Sequence, residues 1–263
     1  MLRQIKSVAL VAATLGLVAS ASAEMNFESS GAMKWRGEEK SQAVGVTTAR
    51  EADFSSMAVN WDLKFMPDPK VMVFFQPKFV KTLGDHADGS TGDATVSTSG
   101  GVKDSGLDVH QSYMTYMHSD RLAFTFGRYE MNYGDHYVLG GVPWHMVGRA
   151  FDGMKVNYKW SKGGVDFFYN KIEERDLGTA ITGVTHDDQD FYGFYHSMAI
   201  NDMITAFDLY YLVNSDRTTQ SQPGPDLNMT TTGFRVKGGK GPVDGTFEWN
   251  TQGGEANSGA TKT

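Results

Sequence analysis

Lys34, Arg36, Lys64, Lys155, Lys159, Arg235 and Lys237 each stand beside a large apolar neighbour such as Met33, Trp35, Phe65, Val156, Trp160 or Phe234. In an extended chain that spacing sends the cations to one face and the apolar side chains to the other. Ammonium and guanidinium groups in a row along a wet wall bind carboxylates and hand them on. Arg suits this task because its planar fork matches a carboxylate. Arg149 shares the parity of Lys155, where a loop re-enters the strand. Arg128 is awkward, because it shares the parity of Leu122, Phe124 and Phe126. Either a bulge near Gly127 reverses its face, or it stands above the apolar band. Glu28, Asp62, Asp166, Asp208, Asp244 and Glu248 share the polar face, so many cations are expected to pair with acids. A solvated wall carries Lys and Arg in any case, so plain solvation stands beside selectivity for every one of these residues.

Other chemistries find less material. The chain has no cysteine, which removes thiol catalysis and Cys-ligated metals. Ser112 with His110 or His196 is the only Ser/His material on a strand. No nucleophile motif frames Ser112, so no enzyme is expected. The acidic stretch 85–93 and His186-Asp187-Asp188 resemble calcium loops in composition, but their spacing departs from the EF-hand pattern. Solvated acidic loops are the simpler reading. Calcium in these loops is the one cofactor kept in view, and otherwise none is expected.

The elements that must position these cations are strands. Period-2 alternation marks about eleven segments, at 26–37, 56–65, 71–81, 109–117, 122–127, 154–160, 165–172, 191–198, 203–214, 230–238 and 243–251. The second is the cleanest, with Met57, Val59, Trp61, Leu63 and Phe65 opposite Ser56, Ala58, Asn60, Asp62 and Lys64. The third is irregular, because Phe74 and Pro77 fall on the wrong faces and Pro in a strand points to an edge or bulge. The fourth has mixed parity. Short connections at 66–70, 118–121, 161–164, 200–202 and 239–242 alternate with long polar ones at 38–54, 82–106, 134–149, 173–190 and 215–228. A sandwich has no reason to alternate in this way, whereas an outer-membrane barrel has short periplasmic turns and long outer loops. The apolar face would then meet lipid and the charged face a water-filled lumen. A soluble exported sandwich or barrel is the rival fold.

The ends of the chain fit export. Residues 1–23 have Arg3 and Lys6, an apolar run from Ser7 to Val18, and the small triplet Ala21-Ser22-Ala23, the pattern of a cleaved secretory signal. Residues 24–263 then form the barrel domain, with 22 basic and 31 acidic residues once Arg3 and Lys6 are removed. That balance argues against nucleic acid as a partner. No later stretch holds an apolar run long enough for a membrane helix, so a membrane protein here must be a barrel. Eleven strands is an odd number where bacterial single-chain barrels have even ones. The polar end TQGGEANSGATKT also lacks a closing aromatic residue. An incomplete barrel, truncated at its C-terminal end, is expected.

The stretch 122–160 carries a further signal. Gly127-Arg128, Tyr133-Gly134-Asp135, Leu139-Gly140, Trp144, Gly148-Arg149 and Phe151-Asp152-Gly153 resemble, in order and spacing, the signature of the alginate-export outer-membrane porin family. The likeness covers about thirty residues; elsewhere it is architectural. Tyr129 and Tyr137 stand where the family pattern has Gln and often Arg. The resemblance implies a monomeric barrel of roughly eighteen strands, an even count that fits the truncation. It also implies a basic lumen that passes an anionic polysaccharide.

The expected function is therefore passive diffusion of solutes through an outer-membrane channel, with an anionic oligo- or polysaccharide as the solute the resemblance implies. The expected wall comprises Lys34, Lys64, Arg128, Arg149, Lys155, Lys159, Arg235 and Lys237. The expected signature loop comprises Gly127, Gly134, Asp135, Trp144, Asp152 and Gly153. The loop 134–149, with Tyr137, Trp144 and Met146, folds either inward as a constriction or outward as a sugar-binding platform; Asp135 and Asp152 near Arg149 offer a way to hold it inward, with an Arg149–Asp152 ion pair as the structural alternative to a transport role. Turn geometry is the simpler reading of Gly134, Gly140 and Gly141. Two alternatives stay open: a general porin of low selectivity, and a structural or adhesive surface barrel that binds partners through its long loops.

Overall fold

The computed structural model of the chain describes residues 26–40, 52–83, 106–173, 188–216 and 226–257. The 1–23 signal and the acidic stretch 85–93 lie outside the described residues. The elements are β1 (Asn26–Lys40), β2 (Ala52–Asp68), β3 (Val71–Leu83), β4 (Gly106–Met117), β5 (Leu122–Tyr129) and β6 (Phe151–Trp160), followed by β7 (Gly163–Glu173), β8 (Gln189–Met198), β9 (Ile204–Asp216), β10 (Asp226–Lys240) and β11 (Val243–Asn257). They form one antiparallel sheet in chain order, with β1 and β11 at its two ends and not paired with each other. No helix occurs among the described residues. The number and order of strands agree with the alternation read from the sequence; the sheet is not closed.

Several strands run past their expected ends. The second was expected at 56–65 and spans 17 residues, Ala52–Asp68. Apolar alternation stops where one face no longer needs to be apolar, but backbone pairing continues from Asn26↔Met66 to Lys40↔Ala52. The ladder needs only N–H and C=O groups, so it extends into polar sequence. Pro77 does not break β3, which keeps one register on both sides, at Asn60↔Lys78 and Leu63↔Phe75. The irregularity lies instead between Phe65 and Asp68. The mixed parity of β4 has a local cause: consecutive residues His110 and Gln111 both reach the polar side, one buried and the other donating to Gln76.

Contacts divide the chain into two compact units. The first holds β1 to β3, β4 as far as Ser112, and residues 141–149; the second holds β4 from Tyr113, residues 130–140, and β5 to β11. Each unit buries its polar face and exposes its apolar one. On β9, Asp208 is 1% exposed and Leu209 40%, while Tyr210 is 0% and Tyr211 41%. In the first unit Met33, Trp35, Val59, Trp61 and Phe75 are exposed, and Ser56, Gln76 and His110 are buried. A sheet with one face in water shows the reverse.

Each unit covers its buried face with part of the β5–β6 connection. In the second unit Met131 and Leu139 join Tyr129, Phe151, Phe168, Tyr195, Tyr210 and Leu212 in one core. In the first, Met146 packs with Ala58, Val80 and Val147. The ladders that anchor this connection are unbroken, from Leu122↔Tyr158 to Tyr129↔Phe151 and from Asp152↔Lys171 to Trp160↔Gly163. Gly153 sits where they meet, and a Cβ there would lie 2.1 Å from the Tyr169 carbonyl oxygen. Gly153→Ala must part β6 from β7 and is expected to cost about 1–3 kcal/mol, as overpacking does. Gly245→Ala, whose Cβ meets nothing within 4 Å, is the control. Urea unfolding of both variants measures the difference; equal stabilities would refute the close approach as the reason for glycine at 153.

Candidate functional site

The first unit seats residues 141–149 on cations of its polar face. Lys34 donates through Nζ to the Pro143 carbonyl, Arg36 to the Trp144 carbonyl at 2.8 Å, and Lys78 to the Val147 carbonyl at 2.7 Å. Met146 is fully buried among the small and branched side chains beneath it. The Arg149 amide donates to the Gly141 carbonyl at 2.8 Å and closes the segment on itself. Farther along the face Lys64 pairs with Glu28 at 3.1 Å. Asp62 accepts from Gln76 at 2.6 Å and from Asn60 at 3.0 Å.

The second unit builds its site around Asp208. This carboxylate accepts from Ser197 at 2.5 Å, Tyr195 at 2.7 Å and Arg235 Nε at 2.8 Å, and both charged side chains are buried. Four groups converge because a dry charge is tolerable only when paired and hydrogen-bonded. Arg235 also reaches Asp135 of the loop at 3.3 Å, with Lys237 at 3.6 Å from the same carboxylate. Burial alone would raise the Asp135 carboxyl, but Arg235, Thr246 and Lys237 hold it below the ordinary carboxylate value, so it is charged at neutral pH. Gly134 takes a left-handed φ of 58° and lies against Arg235 and Tyr195, its Cβ position only 2.8 Å from Arg235 Nε. Turn geometry and close approach both require the glycine.

Beside this pair, aromatic rings fix the loop. Tyr133 stacks on Tyr195 at 4.4 Å, and Tyr195 on Tyr210 at 5.5 Å. The Tyr133 hydroxyl donates to Asp166 at 2.6 Å. Burial and then the Asp166 charge push its pKa far above the phenol range, so it stays protonated. Asp166 also takes Lys155 at 3.5 Å and the Asn157 amide. Lys155 lies over the Tyr129 ring at 5.5 Å. Lys171 joins Asp188 at 2.7 Å and Asp190 at 3.0 Å.

Several expected site residues stand elsewhere. Arg128 lies on the apolar face with Phe126, not on the polar one; the register across Gly127 is unbroken, so no bulge turns it inward. Its partner is Asp152 directly across the strand pair, at 2.5 Å. The expected Arg149–Asp152 pair does not form, and Asp135 serves Arg235 and Lys237 rather than Arg149. Arg149 is exposed and makes no ion pair among the described residues. Lys159 is exposed at the β6–β7 turn, and Trp144 is 70% exposed, contributing its carbonyl rather than its ring to Arg36. Gly140 packs against His136. Ser112 is exposed, while His196 stacks on Trp160 with Nδ1 3.0 Å from the Gly164 carbonyl. Among the described residues no three His, Asp or Glu side chains are grouped to hold a metal.

Sequence reasoning missed Lys78, Lys171 and the Tyr133–Tyr195–Tyr210 stack. Adjacent bulky pairs were the available signal: Phe167-Phe168 and Tyr210-Tyr211 put aromatics on both faces at one level, which a uniformly wet wall does not need. No protein-family model matches the chain, and a search of curated proteins returns no match.

The Asp208 cluster makes a quantitative demand. Arg235→Met leaves a buried carboxylate without its cation and is expected to cost about 3–5 kcal/mol. Adding Asp208→Leu removes the stranded charge and should recover most of that loss in a denaturant titration. A double variant no more stable than Arg235→Met would show that the pair is not the organising interaction.

Proposed function

We propose that the chain is the greater part of an outer-membrane β-barrel that lets solutes diffuse passively through a lumen of mixed charge. One observation carries this reading: the sheet exposes Trp35, Trp61, Leu209, Tyr211 and Trp249 while burying Asp166, Asp208 and Arg235. Lipid is the solvent that matches the exposed side, and water the one that matches charged groups on the other. The open order from β1 to β11 supports eleven strands of a larger closed barrel, with the short connections periplasmic and the long ones outside. In each unit part of the β5–β6 connection is seated on the polar face, which supports a connection folded inward rather than outward.

The solute we propose is an anionic oligo- or polysaccharide. Support comes from Lys34, Arg36 and Lys78 on the polar face, and from the resemblance of the signature stretch to alginate-export porins. A second reading, a general porin of low selectivity, is favoured by the acids that hold Lys64, Lys155, Lys171 and Arg235. An adhesive surface barrel draws on the exposed loop aromatics Tyr137, 83% exposed, and Trp144.

Planar-bilayer recording of the intact protein decides among them. The expected result is single-channel conductance, with a reversal potential on the anion side in a salt gradient and block by oligouronate. Conductance with weak selectivity and no block would establish the general porin instead. A protein that inserts but does not conduct would overturn both channel readings.

A further inference from the structure

We infer that Arg128, Asp152, Lys171 and Asp190 form a contact surface for lipid headgroups, and that the lipid-facing part of β5 to β8 ends at this row. The inference rests on the membrane reading above. It adds where along the strands the headgroups lie and which side chains meet them.

The four residues fall on one continuous line of paired positions. Arg128 is level with Asp152, Asp152 with Lys171, and Lys171 with Asp190. Two residues nearer the short turns, the same face carries Phe126, Met154, Tyr169 and Tyr192, all exposed. Four neighbouring strands therefore exchange an apolar side chain for a charged one at the same step. A face wholly in water has no reason to change along such a line. A face that passes from acyl chains to headgroups must.

The opposite face changes with it. Toward the short turns of β7, Phe167 is exposed while Asp166 is buried behind it. Beside the row the order is reversed. Tyr129, next to Arg128, and Phe151, next to Asp152, are buried in the aromatic core, and Phe191, next to Asp190, packs against it. Phe151 stacks on Phe191 at 5.7 Å. Charges outward and aromatics inward is the arrangement of a sheet whose outer face meets a polar solvent. The change of solvent is thus located at the row.

The charges alternate in sign along the line, and each is held by another. Arg128 pairs with Asp152 at 2.5 Å, and Lys171 lies 3.0 Å from Asp190 and 2.7 Å from Asp188, just before β8. Alternating sign fits a headgroup layer, where phosphates and ammonium groups alternate. Paired charges enter that layer without being stranded, whereas a lone cation among acyl chains is costly. Tyr169 and Tyr192 stack at 6.1 Å directly beneath the row, where tyrosine rings meet acyl chains and their hydroxyls reach the headgroups.

The length of β6 agrees. From Trp160 at its short turn to Asp152 is about 27 Å along the strand. A tilt of about 40° leaves roughly 20 Å across the membrane, close to an apolar band of about 25 Å. The same tilt lifts the line by about 3 Å per strand, so the row crosses the headgroup zone obliquely.

The chain lacks cysteine, so a bimane fluorophore can be placed on single-cysteine variants of the full chain. Phe167→Cys, Tyr169→Cys and Lys171→Cys sample the outward face of β7. In phosphatidylcholine vesicles, nitroxides on the headgroup or at mid-chain quench the label, and the ratio of the two reads its depth. Successive variants are expected to rise by about 5 Å, with mid-chain quenching dominant at position 167 and headgroup quenching dominant at 171. Arg128→Cys, two strands away, is expected within about 6 Å of that depth, and serves if Lys171→Cys does not fold. Mid-chain quenching dominant at 171 and 128 would overturn the headgroup row while the lipid-facing sheet stands. So would labels at 171 and 128 that neither nitroxide reaches, with 167 still quenched at mid-chain. A label at 167 that neither nitroxide quenches would remove the membrane reading on which the row depends.

Discussion

The sheet exposes its apolar face and buries its polar one, the reverse of a sheet with one face in water. Trp35, Trp61, Phe167, Leu209, Tyr211 and Trp249 are exposed in rows, while Asp208 and Arg235 are buried behind them. Exposed apolar surface costs about 25 cal/mol per Å² in water, which supports the proposed lipid-facing side. Polar groups on the buried side need partners, and in each unit part of the β5–β6 connection supplies some of them. Asp135 closes on Arg235, Tyr133 on Asp166, and the carbonyls of residues 143, 144 and 147 on three cations. The inverted sheet thus dictates that a loop must fold onto it.

That coupling gives the loop its composition. Gly134 lies flat against Arg235, Met131, Leu139 and Met146 fill apolar gaps, and Tyr133 both stacks and donates. In the proposed channel the same coupling would limit electrostatic selectivity. A cation bound to a buried acid, such as Arg235 or Lys155, contributes little free charge to a passing ion.

The strands were legible in the sequence because a face that changes solvent imposes strict period-2 alternation, clearest in Met57 to Phe65 opposite Ser56 to Lys64. The alternation of short and long connections gave their order. Strand ends were not legible, since pairing continues where side-chain alternation has ceased. Parity predicted the face of Arg235 and Lys155 but cast Arg128 as an anomaly to be explained away, although its cross-strand partner Asp152 explains it in place. The seating of the loop was illegible for a different reason. It depends on main-chain carbonyls that accept from Lys34, Arg36 and Lys78, and carbonyls leave no mark in a sequence.

The central claim is that the apolar face meets lipid. Variants that keep only Trp61, exposed on that face at 52%, report its surroundings by fluorescence. In vesicles, brominated acyl chains are expected to quench Trp61 strongly and aqueous acrylamide weakly, with the opposite order for a variant that keeps only Trp144 of the loop. Strong acrylamide quenching of Trp61, unaffected by brominated lipid, would contradict the account and return the sheet to water.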